Sequence, residues 1–291
     1  MNENLLNLER WNALTPSECE TVARKLSRHL PPPWQFTEIR LCRGRQNSHN
    51  MAFFDWNGAA FALIPGGKAT LGYDRDSPLV LNDEQFEEWL YSQKDAVELI
   101  TFEKYMDKMM TPLRTVTIEP FLMEVGAKLF GIVENFEGVP VLKPINQSGN
   151  TYSVRQASHR HTLEIISQDG FRFPSSNEWE YACAAGSRTL WHWGNEYPLH
   201  CYPKMCQDWD LNLKPNAFGL NIAIYPYDWE FCAESQIMRG GDGGDSMYEK
   251  KGATMAWLSL ASAFFKVEPI DDTEGQLGAR LRRVYSIPGM N

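Results

Sequence analysis

Gly170-Phe171-Arg172-Phe173-Pro174-Ser175-Ser176-Asn177-Glu178-Trp179-Glu180-Tyr181-Ala182 is the stretch on which the fold turns. It reads as the end of a strand followed at once by the start of a helix. Ser175 and Glu178 have the spacing of a capping box, in which each side chain satisfies a free amide of the other residue. The helix this opens carries Trp179, Tyr181, Ala182 and Cys183 and stops near Gly186. Glu178 is explained by the cap. Glu180 lies on another side of the helix and pairs, in this reading, with a core arginine such as Arg172 or Arg239.

Upstream, Thr15-Pro16-Ser17-Glu18 predicts a capped helix that ends at Pro31-Pro32-Pro33. Residues 1–50 are expected to form a helical lead-in that docks on the main domain or on a partner. Met51 to Trp56 and Ala60 to Ile64 flank Asn57-Gly58, a hairpin signal. Asn82-Asp83-Glu84-Gln85 caps a helix with Phe86, Trp89 and Leu90 on one side. Residues 92–115 read as a helix and a loop. Val116 to Met123 alternates as one strand. A short helix and a connection are expected over 125–150, and a helix from the cap Ser153-Val154-Arg155-Gln156 to Ser167. Beyond 187 no regular helix is expected, and Leu281 to Tyr285 reads as a closing strand. The class is α+β, and the spacing does not suggest βαβ units.

Composition narrows the function. The 291 residues carry 37 acids against 28 bases, a net charge of -9. That balance argues against a general nucleic-acid binder, which needs a basic face. No run approaches the roughly 18 apolar residues of a membrane helix. Met1-Asn2-Glu3-Asn4 has no apolar signal core, so a cytoplasmic protein without a membrane partner is expected. In that compartment Cys19, Cys42, Cys183, Cys201, Cys206 and Cys232 are expected as free thiols or ligands rather than disulfides.

Seven segments in order extend the opening stretch. They are Ile64-Pro65-Gly66-Gly67 through Gly72, Val116 to Phe121, Phe171 to Ala182, Trp193-Gly194, Pro215 to Leu220, Trp229-Glu230-Phe231, and Arg239-Gly240-Gly241. The ordered set resembles the formylglycine-generating enzyme family, also called the sulfatase-modifying factor family, over roughly residues 60–285. The resemblance implies a loop-rich variant of the C-type lectin fold over residues 55–286. Residues 1–54 would be a helical extension with the first strand, and 287–291 a flexible tail. The family's oxidases convert a sulfatase cysteine to formylglycine with copper held by two cysteines after Arg-Gly-Gly. Here Asp242-Gly243-Gly244-Asp245-Ser246-Met247 follows, and no cysteine lies beyond Cys232. Copper(I) favours thiolates, so copper and oxidase activity are not expected. The family's iron-dependent relatives use a histidine-rich helix in a separate domain, which His29 and His49 of the short lead-in do not supply. Calcium remains open through Asp228, in the segment matching the family's structural calcium site.

The resemblance therefore implies a scaffold that binds a protein or a small molecule, across a surface made by residues 191–257. The alternative is a metal-dependent oxidoreductase of a divergent branch acting on a peptide or small thiol. The glycine-rich run Arg239 to Asp245 is the candidate site, because glycines let a ligand approach the backbone and the Asp242 and Asp245 carboxylates can bind it. The other interpretation is a tight buried turn with Arg239 paired to core acids. Trp193 and Trp257 are candidates to line a groove, or to build the core. His192, His200, Cys201 and Cys206 are of zinc-ligand type, but their spacing matches no common motif, and the alternative is surface histidines with half-buried thiols. His159 and His161, two apart on a helix, point to different faces. Cys183 and Cys232 read as packed thiols. Arg280 and Arg282 would share one face of the last strand and anchor acidic loops.

Overall fold

The computed structural model describes residues 3–94, 99–134, 140–144, 155–156, 158–248, 252–267 and 279–288. A 3₁₀ turn, Glu3–Leu6, leads into helices α1 (Leu8–Asn12) and α2 (Pro16–His29). The Thr15 hydroxyl accepts from the Glu18 amide while the Glu18 carboxylate accepts from the Thr15 amide, which completes the capping box. Cys19, Val22, Ala23 and Leu26 form the buried face of α2. Strands β1 (Gln35–Arg43), β2 (Ser48–Trp56) and β3 (Ala59–Ile64) form an antiparallel meander. Asn57 and Gly58 turn the second hairpin with φ of 51° and 80°, the left-handed pair that a tight hairpin requires.

The chain continues through β4 (Gly67–Leu71), α3 (Asp83–Ser92), α4 (Phe102–Met109), β5 (Arg114–Ile118) and β6 (Phe121–Glu124). Then come β7 (Phe130–Glu134), β8 (Pro140–Pro144), β9 (Arg155–Gln156), α5 (His159–Ser167), β10 (Phe171–Arg172) and α6 (Ser176–Ala184). A long irregular stretch, with one 3₁₀ turn at Leu211–Leu213, leads to β11 (Glu230–Phe231) and β12 (Ile237–Arg239). The last elements are α7 (Asp245–Tyr248), α8 (Gly252–Leu258), β13 (Lys266–Val267) and β14 (Val284–Ser286).

The largest sheet has six antiparallel strands in the order β1-β2-β3-β6-β14-β10. Strand alternation divides its side chains between two cores. Met51, Phe53, Ala62 and Met123 join one core with Trp179, Phe218 and Trp257. Ala52, Phe54, Phe61 and Leu122 join the other with Trp11, Leu26 and Phe171. The N-terminal helices thus cover one face of the sheet. Smaller sheets pair β4 with β5, β12 with β11 and β13, and β7 with β8 and β9. The architecture is mixed helix and strand with antiparallel sheets, and no helix among the described residues is long and apolar enough to cross a membrane.

Several local expectations are corrected. β1 lies inside the stretch read as helical; a bulge between Phe36 and Glu38 breaks the alternation that would have revealed it. Residues 116–123 are two strands, because Pro120 lacks the amide a continuous ladder needs. The short helix expected in 125–150 is replaced by β7 and β8. Ser153 and Val154 lie outside the described residues, and Arg155–Gln156 is a strand, so the helix instead begins at the cap Ser158. Two helices, α7 and α8, form beyond residue 187; every residue of α8 is buried, so it shows no amphipathic period.

Helix α6 is the hub. Arg172 grips the Glu178 carboxylate with two nitrogens at 2.7 Å, and the same carboxylate closes the Ser175 capping box. The Trp179 indole donates to Glu230 Oε2 (2.9 Å), and the buried Arg282 donates to both oxygens of Glu230. Tyr181 donates to the Pro65 carbonyl (2.8 Å). Asn216 donates to the carbonyls of Ala182 and Cys183 and accepts the amides of Phe218 and Leu220, which ties the end of α6 to the irregular stretch.

Candidate functional site

β12 delivers Arg239 into the core and the chain then turns through Gly240 to Gly244. Gly241 is required by close approach: a Cβ there would stand 2.3 Å from the Pro226 carbonyl oxygen. That carbonyl accepts the amides of Asp242 and Gly243, at 2.9 and 3.0 Å. The loop is therefore pinned against the Tyr225–Asp228 turn.

Arg239 is fully buried. Its guanidinium donates to Glu180 Oε2 (2.9 Å), to the Ser176 hydroxyl, and to the carbonyls of Ser262 and Phe264. Glu180 also accepts from the Gly72 amide (2.6 Å), the Thr111 hydroxyl (2.9 Å) and Arg114 Nη2 (2.9 Å). Four donors meet one buried carboxylate, which keeps both charges paired away from water. Arg239 thus holds the loop from behind, its guanidinium turned to Glu180, Ser176 and the carbonyls of Ser262 and Phe264. A cavity of about 470 Å³ reaches Glu180 beside Gly72, Ser187, Thr189 and Asn195. The four donors leave that carboxylate little capacity for a ligand.

Asp242 and Asp245 both line a cavity of about 250 Å³, with Tyr105, Lys108, Met109 and Lys266 among its walls. Asp242 is buried, and its oxygens accept the amides of Gly244 (2.8 Å) and Ser246 (3.1 Å). Burial pushes its carboxyl above the ordinary range, and the neighbouring Asp245 charge adds to this. The Tyr105 phenol is pushed up by burial and by Asp242. Lys266 pairs with the half-exposed Asp245 and also donates to the Asp242 carbonyl. The cavity therefore offers an ammonium and a carboxylate at one side and Ile100, Met109, Met255 and Phe264 as apolar wall. Tyr105 and Met109 belong to α4, the helix expected within residues 92–115 without bounds. The cap at Thr101 and the spacing of Phe102, Tyr105, Met106 and Met109 are the signal that would have found it.

The remaining candidates lie elsewhere. Trp193 and Trp257 are buried, Trp193 stacking on Trp191 with centroids 5.7 Å apart and meeting Trp257 edge-on at 6.1 Å. The Trp191 indole donates to the Trp257 carbonyl and the Trp257 indole to the Cys201 carbonyl. These rings build core and do not line the cavity at Asp242. Cys201 and Cys206 are joined in a disulfide with Cα atoms 5.6 Å apart, which corrects the expectation of free thiols and removes both as thiolate ligands. His192 is buried with no partner at Nε2 among the described residues, and burial holds its pKa down at about 4. His200 is exposed at a positive φ of 59°. Asp228 is held by Arg280 (2.6 Å) and Lys204 (3.6 Å), so cations of the chain itself occupy the carboxylate considered for calcium. Among the described residues, no three His, Cys, Asp or Glu side chains gather as a metal-ion site. His159 is buried against Phe173 and Phe231 and hydrogen-bonds the Cys232 carbonyl, while His161 points outward to the Ser158 hydroxyl.

No family model matches the chain, and no curated protein matches it.

Proposed function

We propose that the chain is a divergent sulfatase-modifying-factor-like protein on the formylglycine-generating-enzyme variant of the C-type lectin fold. In this proposal it binds a ligand and does not oxidise a cysteine with copper. The six cysteines carry it. Cys19, Cys42, Cys183 and Cys232 are all buried, and burial pushes their thiols up, to about 11 for Cys19 and Cys42 and about 12 for Cys183. The other two are bonded to each other. No pair of thiolates is offered to a copper ion, and a neutral buried thiol is a poor ligand and nucleophile. The fold assignment is supported by the way the segments of the resemblance meet around α6, through Glu180 with Arg239, Trp179 with Glu230, and Asn216 with the helix end.

The ligand site in this proposal is the cavity at Asp242, Asp245, Lys266 and Tyr105. Its apolar wall and paired charges suit a small molecule or short peptide segment with an apolar body and a charged end. The oxidoreductase alternative draws on Asp242, a carboxyl that burial raises above its ordinary range at the wall of a cavity. Both are tested by incubating the purified protein, supplied with copper(I) and oxygen, with a peptide carrying a sulfatase cysteine. The expected result is an unchanged peptide mass. Conversion of the cysteine to formylglycine would refute the binding-scaffold proposal.

A further inference from the structure

Helices α3 and α4 and the loop before α3 enclose a groove of about 640 Å³. Its floor is apolar and buried, with Trp89 packed edge-on against Phe102 at 5.2 Å. Its rim is apolar and open: Val80, Phe86, Leu90 and Leu99 are exposed by 80%, 49%, 52% and 73%. Of the ten exposed large hydrophobic residues among those described, five lie within residues 80–99. That clustering separates a patch from the scattered apolar residues of any surface. Phe86 and Leu90 stand one helical turn apart on α3, so they present one edge. The wall beneath them is anchored, because Glu88 accepts from the Ala253 amide (2.9 Å) and the Thr254 hydroxyl (2.8 Å) at the start of α8.

The surrounding charge selects the occupant. Segments 74–94 and 99–109 carry eight acids and four bases. Arg75 is engaged by Asp107 at 2.6 Å, and Lys94 lies over the Tyr91 ring. Glu103 lines the groove and is exposed, and on α3 so are Asp83, three residues before Phe86, and Glu87, the residue after it. A second copy of this chain, with its net charge of -9, would bring acid against acid. An anionic lipid surface is disfavoured in the same way. We propose that this groove docks a basic amphipathic helix of a partner protein, with two or three large apolar side chains entering between α3 and α4. The docking surface is separate in role from the ligand cavity at Asp242 and does not depend on it.

The test uses the full chain and a fluorescein-labelled helical peptide of about 16 residues, with Leu and Trp at one-turn spacing and Lys elsewhere. A second peptide keeps the apolar face and replaces Lys by Glu. Fluorescence anisotropy is expected to show saturable one-to-one binding of the basic peptide, weakened by added salt, and binding of the acidic peptide roughly tenfold or more weaker. Leu90→Lys, at a half-exposed site, is expected to leave the urea midpoint unchanged and weaken the basic peptide about tenfold or more. Glu87→Lys, an exposed position beside Phe86 on α3, should also weaken the basic peptide. Binding of neither peptide, equal binding of both, or full affinity in the variants would overturn the proposal. So would dimerisation of the free protein, in sedimentation, that Leu90→Lys abolishes, or binding only to vesicles of phosphatidylcholine and phosphatidylserine.

Discussion

Glu180→Gln is the substitution with the largest expected consequence. The carboxylate is buried and receives Gly72, Thr111, Arg114 and Arg239. Gln keeps the volume but turns one acceptor into a donor, and no charge remains opposite Arg239. Arg114 is partly exposed and keeps access to water, as well as Asn177 at 2.6 Å. Arg239 has no such recourse, since it is fully buried and its other acceptors are a hydroxyl and two carbonyls. Leaving a buried charge without its counter-ion costs about 3–5 kcal/mol, a large share of the roughly 5–15 kcal/mol that holds a domain folded. Urea unfolding at pH 7 measures the loss. Glu180→Leu and Arg239→Met, singly and together, complete a double-mutant cycle. The double variant is expected to be more stable than the sum of the single costs predicts, by about 2–3 kcal/mol. A cost for Glu180→Gln below about 1 kcal/mol, or additivity within about 0.5 kcal/mol, would refute the claim that the pair is mutually dependent.

Burial of neutral His192 makes the fold acid-sensitive. Above its ordinary value of 6.5 the histidine adds nothing; between 6.5 and about 4 the unfolded chain takes a proton that the folded chain refuses, so stability falls as pH falls. The loss reaches about 3 kcal/mol near pH 4, and His192→Phe should remove most of it when urea stabilities at pH 7 and pH 4.5 are compared. A variant with the wild-type pH slope would place the sensitivity elsewhere. Reduction of Cys201–Cys206, which closes a short loop of sequence separation 5, is expected to cost about 2 kcal/mol, read as the difference in urea midpoint between native protein and Cys201→Ser. Gly241→Ala drives a Cβ toward the Pro226 carbonyl and should lower stability by about 1–3 kcal/mol while displacing Asp242. A thermal midpoint unchanged by that substitution would mean that the loop yields freely.

What was legible in the sequence was local. Thr15, Asn82 and Ser175 all cap helices, because a cap is settled within four residues by hydrogen bonds between a side chain and nearby amides. The Asn57-Gly58 turn follows from backbone freedom at two positions. The glycine-rich run after Arg239 was visible as a place where the backbone comes close to something. What it approaches was not, since Pro226 and Tyr105 reach it only through the packing of distant segments. Likewise a tryptophan is equally suited to a groove and to a core, and only the stacking of Trp191, Trp193 and Trp257 decided for the core. Whether Cys201 and Cys206 bind a metal or each other depends on how the loop between them folds back. The exposed edge of α3 is the clearest instance. Phe86, Trp89 and Leu90 share one apolar side by helical period alone, but tertiary packing covers Trp89 and leaves the other two open. Helical period fixes which side chains share a face; burial depends on what the rest of the chain brings against it.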